Sequence, residues 1–84
     1  MNYKYKQLKI EAVRLEKGNI DEVLDFLSGF DLRIIKVNNK LVCNIETTGG
    51  TLIANEEDYI VKCIDTKELG IYKPELFNVK FERA

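Results

Sequence analysis

Lys73-Pro74 is the place in this 84-residue chain where side-chain chemistry and backbone geometry coincide. Proline suits the first position of a helix, because its fixed φ and missing N–H cost nothing there. Pro74–Phe77 therefore reads as one short helical turn. The free N–H groups of Glu75 and Leu76 would then point out of that turn beside the Lys73 ammonium, the parts of an anion site. Tyr72 and Phe77 flank it with ring faces on which a base can stack. Tyr59 and Lys62, on the preceding strand, complete the candidate ligand-binding set of Lys73, Tyr72, Tyr59 and Lys62. The competing reading is that Pro74–Phe77 only ties the last strand to the core, with Leu76 and Phe77 as anchors.

The rest of the chain offers little to a catalyst. It has no histidine, which removes Ser-His-Asp and Cys-His chemistry within one chain. Cys43 and Cys63 lie in apolar runs without CxxC spacing, so both are expected to be buried structural thiols, with no metal and no cofactor. Glu56-Glu57 reads as a solvated turn. Gly49-Gly50 is a hairpin signal, since a lone double glycine does not define a phosphate loop. The expectation is a protein that binds and does not turn over its ligand.

Composition bounds the partners. Eighty-four residues make a single domain, residues 1–84, and 45% hydrophobic with 32% charged residues is ordinary for a globular one. A net charge of −1 gives no general pull toward long nucleic acid. Locally, Lys4, Lys6, Lys9, Arg14 and Lys17 make the first strand basic, while Asp21, Glu22, Asp25 and Asp31 make the next segment acidic. No apolar run approaches the ~20 residues that span a bilayer, and Met1–Lys6 lacks the apolar block of a signal peptide. A cytoplasmic protein without a membrane partner is expected.

The elements that must position these residues are legible in outline. Residues 3–16 read as a long strand whose alternation changes phase near Lys6–Leu8 and again near Ala12–Val13, which predicts bulges or burial of both faces. Asn19–Ser28 is the clearest helix. Asn19 is a good N-cap with Glu22 at capping-box spacing, and Gly29 is the stop. Its Ile20/Val23/Leu24/Leu27 stripe is expected to be core. Leu32–Val37 and Leu41–Glu46 flank an Asn38-Asn39-Lys40 turn, and Thr48-Gly49-Gly50 turns the chain into Thr51–Asn55. Tyr59–Ile64 and Leu69–Lys73 are two further strands, and Phe81 is expected to close a last one. The fold class is α+β: a curved antiparallel sheet or small barrel of about six to seven short strands, packed on one amphipathic helix.

One further feature concerns origin. Asp58-Tyr59-Ile60-Val61, then Tyr72-Lys73-Pro74-Glu75-Leu76-Phe77, then Phe81-Glu82 resembles a family of small phage and prophage proteins. Its typical members read P-G-D-Y-I-I-x-G, G-E-F-Y-x-C-K-P-D-I-F and a closing T-Y-E. Leu8-Lys9-Ile10-Glu11-Ala12-Val13 is similar to the family's early strand. Here Glu56-Glu57 stands where members carry Pro-Gly, and Tyr72 where they carry cysteine. The resemblance implies a viral setting and one compact domain, without an established activity. In that setting the expected function is a counter-defence sponge that sequesters a nucleotide-derived immune signal. The alternative is a protein-binding module that inhibits a host enzyme or supports phage assembly. A homo-oligomer, most simply a dimer, is expected for either.

Overall fold

The computed structural model describes residues 9–81. The expected phase shift near Lys6–Leu8, the beginning of the long first strand and Glu82 lie outside the described residues. Within them are six strands: β1 (Ile10–Arg14), β2 (Asp31–Val37), β3 (Lys40–Thr47), β4 (Gly50–Asn55), β5 (Tyr59–Cys63) and β6 (Leu69–Tyr72). A 3-10 turn, Lys17–Asn19, leads into helix α1 (Ile20–Phe26), and helix α2 (Pro74–Lys80) follows β6. The strands form two separate antiparallel sheets of three, here sheet A in the order β1-β5-β6 and sheet B in the order β2-β3-β4. The α+β class holds, and the barrel does not form.

Sheet B is a meander whose turns are set by residue type. Asn38 and Asn39 take φ of 52° and 65°, the left-handed values a two-residue hairpin requires and asparagine tolerates. Thr48 and Gly49 make the second turn, into Gly50 at φ 127°. Alternation along the strands then sends Leu41, Cys43, Ile45 and Ala54 inward, where all are buried.

The chain leaves sheet B at Asn55–Asp58 and enters sheet A, which is why no closed barrel results. Asp58 is buried and holds this turn: its carboxylate accepts from the Asn55 N–H at 2.9 Å, and its own N–H donates to the Asn55 carbonyl at 2.9 Å. The same corner joins the sheets. Glu57 donates its N–H to the Leu15 carbonyl at 2.7 Å, and Glu56 donates to that of Leu41 at 2.8 Å.

β1 pairs with β5 in unbroken register from Ile10↔Cys63 to Arg14↔Tyr59, so no bulge occurs at Ala12–Val13. Val13 and Leu15 turn inward and Ala12 is exposed. Val23 of α1 and its C-cap residue Leu27 enter the core shared by both sheets, with Ile20 and Phe26 packed at its margin. The expected stripe is corrected at Leu24, which is 45% exposed. α1 is only seven residues long, and its buried face is the Val23 and Leu27 line rather than the full stripe. Asn19 does not cap α1 through its side chain. It clamps the preceding turn instead, accepting from the Glu16 N–H at 2.9 Å and donating to the Arg14 carbonyl. Gly29, at φ 95°, ends the segment as expected.

The late turn is longer than its sequence suggested. Pro74 does open it, but the helix runs on to Lys80, and Phe81 is its extended C-cap rather than part of a strand.

Candidate functional site

Cross-strand register in sheet A places Arg14, Tyr59 and Tyr72 in one row across β1, β5 and β6. Opposed residues in an antiparallel sheet share a face, so all three point away from the core, toward α2. Lys73 is extended at φ −69° and ψ 152°, as a residue before proline must be, and this redirects the chain over that face.

α2 then covers the row with aromatic rings. Phe77 stacks on Tyr59 with centroids 3.9 Å apart and planes 8° from parallel. Phe81 meets Tyr72 edge to face at 5.3 Å and lies 5.2 Å from Phe77. Such contacts add about 0.5–1.5 kcal/mol each beyond area burial. Gly70 makes room for the cluster: a Cβ at that position would lie 3.0 Å from the Tyr72 ring, which rests over it.

Cations line the rim. The Arg14 guanidinium lies 5.6 Å from the Tyr59 ring centre, and the Lys80 ammonium 5.3 Å from that of Tyr72. Arg14 is also anchored, donating from Nε to the Glu57 carbonyl at 3.1 Å. Lys73 is exposed at the start of α2.

Of the four residues singled out from sequence, the register places Tyr59 and Tyr72 on one face, and Lys73 follows Tyr72 directly, exposed at the start of α2. Lys62 belongs to the opposite face of sheet A, because it is offset by an odd number of residues from Tyr59 on β5. There its ammonium donates to the Phe26 carbonyl at 2.8 Å and lies 4.5 Å from the centre of the Phe26 ring. It closes the C-terminal end of α1, on the other side of sheet A from Tyr59 and Tyr72. Arg14, Gly70, Lys80 and Phe81 were not recognised as neighbours of the set. Arg14 had shown only as part of a basic strand, and its partnership depends on a register that spans 45 residues of chain.

The two thiols differ, contrary to the expectation that both are buried. Cys43 is buried, and its thiol is pushed above the ordinary range by desolvation. Cys63 is partly exposed at the end of β5, and hydrogen bonds from the Thr66 side chain and backbone lower its pKa. Among the described residues, no group of three or more acidic, cysteine or histidine side chains is placed to hold a metal. An open depression of about 330 Å³ lies elsewhere, on sheet B, lined by Asp31, Leu32, Arg33, Asn44 and Glu46. No helix among the described residues is long and apolar enough to cross a membrane. No protein-family model, curated protein or solved structure matches the chain.

Proposed function

We propose that this is a phage-encoded binding protein that holds a small nucleotide-like anion on the outer surface of sheet A and does not turn it over. The observation that carries the reading is the meeting of Tyr59, Tyr72, Phe77 and Phe81 with Arg14, Lys80 and the neighbouring Lys73. Cations at the rim of an aromatic cluster suit phosphates, and a base would stack only on ring faces that the Tyr59–Phe77 and Tyr72–Phe81 pairs leave uncovered. A counter-defence sponge is the role such binding would serve in the viral setting implied by the resemblance of residues 58–82. The binding set is Arg14, Tyr59, Tyr72, Lys73 and Lys80, without Lys62.

The test is calorimetry of the full chain with cyclic di- and trinucleotides and ADP-ribose-derived messengers. Lys73→Ala and Lys80→Ala should each weaken binding by roughly tenfold to a hundredfold, as expected for loss of a charge-assisted hydrogen bond. Intact ligand recovered after heat denaturation supports sequestration, whereas degraded ligand identifies an enzyme. Binding that neither lysine affects places the ligand elsewhere.

The second reading, a module that binds a host or phage protein, is favoured by a different observation. α2 presents Leu76 and Val79, 59% and 87% exposed, at helical spacing on its outer side. A stable protein complex abolished by Val79→Lys, with no heat from any nucleotide, would support that reading instead.

A further inference from the structure

Among the described residues, the outer face of sheet B carries three of the large exposed hydrophobic side chains, Ile35, Val37 and Ile53. Register places its outward residues in four rows across the sheet. Asp31, Glu46 and Thr51 form the first, Arg33, Asn44 and Ile53 the second, Ile35, Val42 and Asn55 the third, and Val37 with Lys40 the last. Ile35, Val37 and Ile53 are 40%, 47% and 56% exposed, and Val42 lies among them. No described helix or strand packs over these residues, whereas α2 covers the corresponding face of sheet A.

Charge is ordered along the same face. The central strand β3 carries Glu46 at one end and Lys40 at the other, with Asn44 and Val42 between them. Asp31 reinforces the acidic end. Among the described residues Lys40 and Arg33 form no ion pair. The depression at that end, lined by Asp31, Leu32, Arg33, Asn44 and Glu46, is open to solvent and has one cationic side chain beside its two carboxylates.

We propose that this face is the interface of a two-fold dimer, the occupant being a second copy of the chain. Sheets stack face to face about 10 Å apart and within about 30° of alignment. A two-fold axis running across the strands reverses β3 on itself. The partner's Lys40 then lies over Glu46, and Lys40 lies over the partner's Glu46. An axis along the strands would set Glu46 against the partner's Glu46, so charge selects the first arrangement. Ile35, Val42 and Ile53 of both copies are covered between the two ends, in rows they share with Arg33, Asn44 and Asn55. This interface is independent of the anion-binding reading, whose residues lie on sheet A.

Three strands ~4.8 Å apart and seven residues long at ~3.4 Å each give a face of roughly 10–15 Å by 20–24 Å. That is the size class of weak interfaces, so the association is sought in sedimentation experiments up to about 1 mM chain. The full-length protein should move from one chain's mass toward twice that mass over this range. Ile53→Lys should remain monomeric with an unchanged melting temperature. Lys40→Glu and Glu46→Lys should each weaken the dimer by about tenfold, because each alters two symmetry-related contacts, and the double exchange should restore it. A single chain's mass at every concentration overturns the proposal. So does association that Ile53→Lys leaves untouched, or a double exchange that fails to restore the dimer.

Discussion

Sheets A and B have the same number of strands, the same antiparallel pairing and a common core, yet their outer faces differ. On sheet A the row Arg14, Tyr59, Tyr72 is roofed by Phe77 and Phe81 from α2. On sheet B the aliphatic residues Ile35, Val37 and Ile53 stay exposed. The difference lies in what the connections can reach. Sheet B is joined by two-residue turns, which return the chain within the plane of the sheet and leave nothing to cross its face. Sheet A ends in Lys73-Pro74, which ejects the chain from the plane and starts a helix above it. Covering of a face follows from the connection after a strand as much as from the strand's own residues.

The sharpest way to break this contrast is to remove one outward side chain from each sheet. Phe77→Ala should cost about 1.5–3 kcal/mol, since the ring is partly buried and stacks on Tyr59. Ile53→Ala should cost less than about 0.5 kcal/mol in the dilute monomer, where the side chain already meets water. Urea denaturation at low protein concentration measures both. Equal losses would mean that the two outer faces are equally covered.

A smaller effect is expected at the corner that joins the sheets. Glu57 sits at φ 81°, a left-handed value that a side chain disfavours and glycine accepts. Glu57→Gly keeps the backbone bonds to Leu15 and Arg14 while removing that strain. The relief of about 1–2 kcal/mol is partly offset by the glycine's greater freedom when unfolded, leaving a gain of roughly 0.5–1 kcal/mol. Glu56→Pro should act oppositely, because the Glu56 N–H donates to the Leu41 carbonyl and its carboxylate accepts from the Leu41 N–H at 3.0 Å. Thermal melts of the two variants should therefore shift in opposite directions; a destabilised Glu57→Gly would show that the corner carries no backbone strain.

These cases mark what the sequence made legible. Both hairpins of sheet B, the start of α2 at Pro74 and the stop at Gly29 follow from local residue chemistry, and they were readable. Leu24 was misassigned because helical spacing defines a stripe but not its width, which depends on how closely the sheets approach. The continuation of α2 past Phe77 was missed because Asn78-Val79-Lys80 has no strong local preference, while packing of Phe77 and Phe81 on the tyrosines rewards the helix. The candidate site was half visible. Tyr72 and Lys73 adjoin in the chain, but adding Arg14 and excluding Lys62 required the strand register.

Cysteine chemistry probes the same comparison from the two sheets at once. Cys63 pairs with Ile10 on the outward face of sheet A, away from the roofed end, whereas Cys43 points inward from the middle of sheet B. A thiol reagent should therefore modify Cys63 in the folded protein. It should reach Cys43 only through opening of the core, at least about a thousandfold more slowly. Thiolate is the reactive form, so the Cys63 rate should rise with pH and reach half its maximum below the pH expected of an ordinary thiol. The cause is local: the Thr66 hydroxyl and backbone amide hold the deprotonated sulfur. Thr66→Val removes the hydroxyl and should move the midpoint upward, while Cys43 stays unreactive. Two thiols reacting at similar rates would mean that the inner face of sheet B is as accessible as the outer face of sheet A, and the shared core would have to be redrawn.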